Sequence, residues 1–160
     1  MEIPSPHSQV TILNKQFISV FSKPSEQLDY HPQTLHSKMN DIIVSEAGVL
    51  KQLKSLKTNK ACGPDGISPR VLKELTHILA APLNTLFQTT LDKGVVPRDW
   101  RTAVVCPAFK MGEKYLAENY RPISLTSVVS KIMEHIITSH QTNFAESNRM
   151  LFRNQHGFRK

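Results

Sequence analysis

Apolar residues recur every three to four positions through most of the chain after residue 45, and this spacing predicts amphipathic helices. Ser45 can cap the first helix, which should end before the turn-forming cluster at 63–66. Ser68 and Pro69 predict the start of a second helix, because serine caps helices and proline is favoured at the first helical position. The apolar stripe of this second helix consists of Val71, Leu72, Leu75, Ile78 and Leu79.

Two further helices are predicted later in the chain. One runs from near Pro82 to Gly94, a residue type that commonly follows the last turn of a helix. The other has the longest apolar stripe, from Val128 to Phe144, with Thr126 or Ser127 as its N-cap. Helices therefore dominate the sequence after residue 42.

The period changes between these last two helices. Residues 101–109 form a β-rich run, and its internal Pro107 predicts an edge or bulged strand. A polar loop at 110–119 leads to a second extended segment at 120–123, so the two segments predict a hairpin. The predicted fold class is α+β, a mostly helical fragment with one short antiparallel β-hairpin.

The first 41 residues differ in composition from the rest. They contain four prolines, many polar residues and one apolar patch at 13–21 that predicts a short helix. We interpret residues 1–41 as a linker-like segment and residues 42–160 as the folded domain. No basic stretch precedes an apolar one at the start, and no apolar run approaches the roughly 20 residues that span a bilayer. We expect neither a signal peptide nor membrane insertion.

The chain carries a formal net charge of +7 at pH 7, and the positive charge is concentrated after residue 50. Residues 51–160 hold 17 Lys and Arg against 8 Asp and Glu. Two interpretations fit this balance, namely a nucleic-acid partner and a well-solvated basic surface. Cys62 and Cys106 form no C-x-x-C pair, so we expect a reduced, intracellular protein of the nucleus or cytoplasm, not a secreted one.

Sequence signatures of common enzymes are missing from the chain, including the P-loop, the zinc-protease motif and the serine-hydrolase motif. Metal-dependent phosphoryl transfer needs clustered carboxylates. The only aspartates after residue 50 are isolated from one another: Asp65, Asp92 and Asp99. His135 and His140 are five residues apart, off the spacing that shares one helix face, so we interpret them as ordinary helix residues. The sequence predicts no metal site in this chain.

Five short phrases stand out from the helical pattern. They are Lys60–Ile67 (KACGPDGI), Gly94–Arg101 (GVVPRDWR), Pro107–Lys110 (PAFK), Asn119–Thr126 (NYRPISLT) and Gln155–Lys160 (QHGFRK). In this order and at these spacings they resemble the N-terminal motifs of reverse transcriptases from LINE-type, Jockey-like non-LTR retrotransposons. One such phrase is weak, but five in register are very hard to produce by chance. The resemblance covers almost the whole chain.

The resemblance implies a right-handed polymerase, of which this chain corresponds to the N-terminal extension and the fingers. In the family, the fingers hairpin closes over the incoming nucleotide. Carried over, Arg121 would bind the triphosphate through its forked guanidinium, and Lys110 would assist it or touch the template. The alternatives are that Arg121 is a surface residue paired with Glu118, and that Lys114, in the same loop, acts in place of Lys110.

Three further residues are candidates for weak template or nucleic-acid contact: Asp65, Arg159 and Lys160. For Asp65 a structural role is favoured, because a short carboxylate can accept hydrogen bonds from backbone amides of its own turn. Arg159 and Lys160 belong to the basic terminal phrase, whose cations suit a phosphate backbone.

The family's catalytic aspartates would lie beyond residue 160, and the phrase at 109–112 has one lysine where the family commonly has two. The resemblance therefore implies a polymerase fragment that is inactive alone and holds no cofactor itself. Mg²⁺, RNA template, DNA primer and deoxynucleotide triphosphate are expected for the complete enzyme. Two other interpretations are a non-catalytic nucleic-acid-binding module derived from a retroelement, and a structural helical domain with a fortuitous basic face.

Overall fold

The computed structural model describes residues 6–21 and 38–151 of the chain. Arg159 and Lys160, with the rest of the terminal phrase, lie outside the described residues. The predicted α+β class is confirmed, because helices and one two-stranded antiparallel sheet account for the regular structure of the described part. The elements are α1 (Pro6–Ser19), α2 (Glu46–Ser55), α3 (Pro69–Glu74), α4 (Thr76–Lys93), β1 (Val104–Phe109), β2 (Tyr120–Leu125) and α5 (Val128–Ser147), with 3₁₀ turns at Arg98–Arg101 and Ala117–Asn119.

The contacts between residues divide the chain into two units. Among the described residues, the hairpin unit combines residues 6–21 with 104–125, and the helical unit combines residues 38–103 with 126–151. Composition changes at residue 41 instead, and the domain boundary predicted there stays a prediction.

The helical unit is built on the contact between α2 and α4, with α3 and α5 packed against α2. α2 begins as predicted, because Ser45 Oγ accepts a hydrogen bond from the Gly48 N–H at 3.1 Å. Phe87 of α4 is fully buried and meets Trp100 edge-to-face, with ring centroids 5.9 Å apart. The core consists of Val44, Val49, Leu53, Leu72, Ala80, Phe87, Val128, Val129, Ile132, Met133 and Ile136.

The longest predicted apolar stripe is confirmed as helix α5, and the structure shows which of its two candidate N-caps is used. The cap is Ser127, which is fully buried and accepts a long hydrogen bond from the Ser130 N–H at 3.4 Å. The start of α5 also explains the glycine at position 63. A Cβ on Gly63 would lie 2.6 Å from backbone atoms of Thr126 and Ser127, so the loop after α2 can come this close only with glycine there.

The boundary predicted between the second and third helices is wrong. α4 already begins at Thr76, so Pro82 lies inside the helix instead of near its start. The buried Thr76 hydroxyl donates to the Lys73 carbonyl oxygen, and this bond competes with the helical ladder where α3 ends. Proline is tolerated at position 82 because buried Ala80 and Phe87, on either side of it, belong to the core that joins α4 to α2.

The hairpin unit contains β1 and β2, paired antiparallel along their whole length. Pro107 faces Pro122 across the ladder, a position where neither residue has an N–H to donate. Because the sheet has two strands, each is an edge, and the edge strand predicted from Pro107 is confirmed. β1 is shorter than the predicted run, since Arg101 ends a 3₁₀ turn. α1 packs against β2 and the 3₁₀ turn that precedes it, and Phe17 is its buried residue.

Candidate nucleic-acid-binding hairpin

Arg121 and Lys110, the two predicted nucleotide-binding residues, both lie on the hairpin. Arg121 stands in β2 opposite Ala108 of β1. Lys110 follows β1 directly, and its N–H donates to the Asn119 carbonyl oxygen at 2.8 Å, so the pairing continues one residue past the ladder. Side chains alternate between the two faces of a strand, so Lys110 and Arg121 are diagonal neighbours on one face of the hairpin. Diagonal neighbours of paired strands are usually roughly 7–8 Å apart.

The side chains of Arg121 and Lys110 are both exposed. Pro122 restricts Arg121 to extended backbone, and β2 supplies that geometry. Within residues 6–21 and 38–151, no hydrogen bond or ion pair joins Arg121 to Glu118, the partner that the alternative interpretation assigns to it. A forked guanidinium beside a lysine ammonium can bind the oxygens of one polyphosphate.

The opposite face of the hairpin is aromatic. Phe109 and Tyr120 pair edge-to-face across the strands, with ring centroids 5.6 Å apart. The Lys114 ammonium lies 5.8 Å from the centre of the Phe109 ring, within the range of a cation–π interaction. Lys114 is therefore engaged with the aromatic face, while Lys110 shares the other face with Arg121.

The loop between β1 and β2 is held by its own hydrogen bonds. Asn119 Nδ2 donates to the Glu113 carbonyl oxygen at 2.9 Å, and the Tyr120 hydroxyl donates to the Lys114 carbonyl oxygen at 2.9 Å. Gly112 has φ +90°, and a Cβ there would lie 2.7 Å from Asn119 Nδ2. The side chains of Tyr120, in β2, and of Asn119, directly before it, thus hold the loop backbone in place.

Asp65 has the structural role favoured by the sequence. Its Oδ1 accepts a hydrogen bond from the Ile67 N–H at 3.1 Å, two residues along the chain. The same turn is closed by Gly66 N–H donating to the Gly63 carbonyl oxygen at 3.1 Å, with Gly66 at φ +68°. Contact between Asp65 and a template stays a prediction.

Tyr115 is a candidate residue that the sequence interpretation left out. It lies at the loop tip and is 73% exposed, next to Lys114 and four residues from Met111, which is also exposed. Part of the signal was present in the sequence, because an aromatic residue beside Lys114 in a polar loop has no helix or strand face to bury it.

Other chemistry is limited in the described part of the chain. No helix there combines the length and apolar character needed to cross a membrane. Among the same residues, no group of three or more His, Cys, Asp or Glu side chains is placed to hold a metal ion.

The hairpin therefore presents two cations on one face and aromatic rings on the other. No protein-family model matches the chain. A probable RNA-directed DNA polymerase from transposon BS of Drosophila melanogaster is 30% identical over 113 residues, covering 70% of this chain and 12% of that protein. The RNA-directed DNA polymerase from mobile element jockey of the same species is 27% identical over 157 residues, covering 88% of this chain and 17% of the relative.

A third relative, a probable RNA-directed DNA polymerase from transposon X-element of Drosophila melanogaster, is 28% identical over 102 residues. Over most of its length the chain is similar to the RNA-directed DNA polymerases of these non-LTR mobile elements, and the resemblance predicted from the five phrases is confirmed. It spans 12% to 17% of the length of the first two relatives.

Proposed function

We propose that this chain is the nucleotide- and template-contacting fingers part of an RNA-directed DNA polymerase. The observation that carries the proposal is the placement of Arg121 and Lys110 as diagonal neighbours on one exposed face of the hairpin. Similarity to the jockey and BS polymerases supports a ligand of the nucleotide class.

Arg121 binds the triphosphate of the incoming deoxynucleotide in this proposal. Its guanidinium donates two parallel hydrogen bonds to phosphate oxygens, and Pro122 limits the backbone freedom that would misdirect it. Lys110 adds a point charge that attracts either the same triphosphate or the template backbone. The partners of the complete enzyme are then the RNA template, the DNA primer and the nucleotide.

Mg²⁺ would supply the charge neutralisation that phosphoryl transfer needs in the complete enzyme. The described residues hold no carboxylate cluster that fits such an ion. The contribution of this chain is accordingly to bind and orient the nucleotide.

The test is a chimera in which residues 42–160 replace the corresponding segment of the jockey polymerase. In that enzyme Arg121→Ala should lower kcat/KM for the nucleotide by roughly 10- to 150-fold, because a charge-assisted hydrogen bond contributes about 1.5–3 kcal/mol. Arg121→Lys should recover only part of the loss, since the charge remains while the fork is lost. Steady-state primer extension on an RNA template measures all three.

Arg98→Ala is the matched control, because Arg98 is also exposed but belongs to the helical unit. It should leave nucleotide efficiency near that of the parent chimera. Equal efficiency in the parent, Arg121→Ala and Arg121→Lys enzymes would show that Arg121 is an ordinary surface residue and that the proposed role is wrong.

A second candidate function is a non-catalytic nucleic-acid-binding module. The excess of 17 Lys and Arg over 8 Asp and Glu in residues 51–160 favours it. The isolated chain would then bind single strands without sequence preference, and log affinity would fall with log salt at a slope of about −0.7 per phosphate contacted. A chimera unable to extend primers, together with salt-dependent binding by the isolated chain, would support this function over the first.

A further inference from the structure

We propose that the tip of the hairpin is a stacking platform for one unpaired base of a single-stranded nucleic acid, with Tyr115 as the stacking residue. This inference rests on the proposed function, since it assumes that the hairpin faces nucleic acid. It adds a base-binding subsite to the phosphate-binding pair of Lys110 and Arg121.

The first observation is the exposure of large apolar side chains at the tip. Tyr115 is 73% exposed and Met111 is 63% exposed, and Phe109 and Leu116 are also exposed. One exposed apolar residue is ordinary on a protein surface, but here four of the eight residues from Phe109 to Leu116 are large, apolar and exposed. Aromatic side chains and methionine are the residue types enriched where proteins bind partners.

The second observation is that the backbone around Tyr115 is fixed although its ring is exposed. The carbonyl oxygen before it, on Lys114, accepts the Tyr120 hydroxyl at 2.9 Å. The amide after it, on Leu116, donates to the Glu113 carbonyl oxygen at 3.2 Å, which closes a turn around Tyr115. A ring held in place before binding loses less conformational entropy when a base stacks on it. Within the described residues, no hydrogen bond or ring contact occupies the Tyr115 side chain itself.

The third observation is the charge beside the platform. Lys110 and Lys114 flank the tip, and the acidic residues of the loop are Glu113 and Glu118. With Arg121 included, three cations outnumber two carboxylates. The Asn119 side-chain amide donates its hydrogen bond to the backbone carbonyl oxygen of Glu113 and not to the Glu113 carboxylate. Cations within a few residues of an exposed aromatic ring are the combination that binds single strands, because the ring stacks on a base while the cations attract the adjoining phosphates.

The experiment measures binding of the full chain to fluorescein-labelled single-stranded RNA and DNA oligomers of about eight nucleotides, within the site sizes common for such surfaces. Matched oligomers with the same sugar-phosphate backbone and no bases serve as the second probe. Tyr115→Ala should weaken binding to base-containing oligomers by roughly 5- to 150-fold, the range expected for loss of one stacked base. Tyr115→Phe, which keeps the ring, should bind like the parent chain.

The abasic oligomers separate stacking from phosphate contact. The parent chain should prefer the base-containing oligomer, and Tyr115→Ala should remove that preference. Tyr115→Ala should keep the slope of log affinity against log salt, whereas Lys110→Ala should reduce it by about 0.7. Val105→Ala is the control, because Val105 is an exposed apolar residue of the same hairpin, away from the tip.

Equal binding by Tyr115→Ala and the parent chain would overturn the stacking platform and would leave the apolar tip as a surface for protein contact. The Arg121 chimera could still succeed in that case, so this failure is distinguishable from failure of the proposed function. Absence of any oligomer binding by the parent chain at low salt would also overturn the inference.

Discussion

Phe87 and Phe109 lie in different units and are used differently. Phe87 is fully buried in α4 and meets Trp100 edge-to-face within the helical unit. Phe109 ends β1, also meets an aromatic partner edge-to-face, and is 42% exposed. The two aromatic pairs have similar geometry, but only the first excludes water.

The difference indicates that the stability of the chain and its proposed binding role depend on different units. The helical unit holds the continuous apolar core, to which α2, α3, α4 and α5 all contribute. Among its described residues, the hairpin unit keeps its cations and most of its aromatic side chains exposed to solvent, where a ligand can reach them. Groups that bind ligands are commonly presented at the surface by a more rigid scaffold. Substitutions should therefore affect stability in one unit and ligand binding in the other.

The largest expected effect on stability is at Phe87. Phe87→Ala should lower the free energy of unfolding by about 3–5 kcal/mol, because it leaves a cavity in a closed core. Phe109→Ala should cost less, because Phe109 is 42% exposed and loses only partial burial together with an aromatic pair that contributes about 0.5–1.5 kcal/mol. Urea unfolding followed by far-UV circular dichroism measures both. Equal losses would mean that the two units are packed alike and that the comparison is wrong.

A smaller effect on stability is expected at Gly63, which lies close to the backbone of Thr126 and Ser127. Gly63→Ala should cost about 2–3 kcal/mol, because the new methyl group would overlap the start of α5. Gly66→Ala is the matched control three residues away. Its φ is +68°, but a Cβ there would meet open space. It should cost about 1 kcal/mol from backbone strain alone.

The same unfolding experiment compares the two glycine variants, with emission of Trp100, the single tryptophan, as a second probe. Trp100 lies beside Phe87 in the helical unit and therefore reports that unit. A Gly63→Ala chain no less stable than Gly66→Ala would show that the loop can move away from Ser127 at little cost.

The smallest effect on stability is expected for the hairpin cations. Lys110→Ala and Arg121→Ala should each change the free energy of unfolding by no more than about 0.5 kcal/mol, since exposed substitutions away from buried contacts are nearly neutral. Hydrogen exchange at the amides of β1 and β2 should also be unchanged. A loss of amide protection in either variant would assign that side chain a structural role in the hairpin.

Much of the fold followed from local chemistry. Ser45 caps α2 as predicted, and Ser127, one of the two predicted candidates, caps α5, because a serine at the start of an apolar periodic segment satisfies free amides within its own turn. Gly94 ends α4 at φ +62°, a backbone region open to glycine. The Pro82 boundary failed because local preference gave way to packing of α4 against α2.

The candidate site was predicted in part. Residue type and the five phrases indicated Arg121 and Lys110, but they did not indicate which of two nearby lysines shares a face with Arg121. The register of β1 and β2 places Lys110 there, and the aromatic contact places Lys114 at Phe109. Tyr115 was left out of the prediction although its place in a polar loop indicated exposure, because its position at the loop tip depends on how the loop folds back on itself.

The sequence by itself determined the helices, the hairpin, most caps and the family, because each of these depends on residues close together in the chain or on their order. Only the tertiary structure decided which apolar stripe is covered. Val128 to Ile136 is largely buried, whereas the second predicted stripe is split, with Leu72 in the core and Val71, Leu75 and Ile78 exposed. Both stripes have helical spacing. Such spacing predicts that a helix has an apolar face, but it does not predict which other element covers that face. A face is buried only when a second element packs against it, and this packing depends on contacts between residues far apart in sequence.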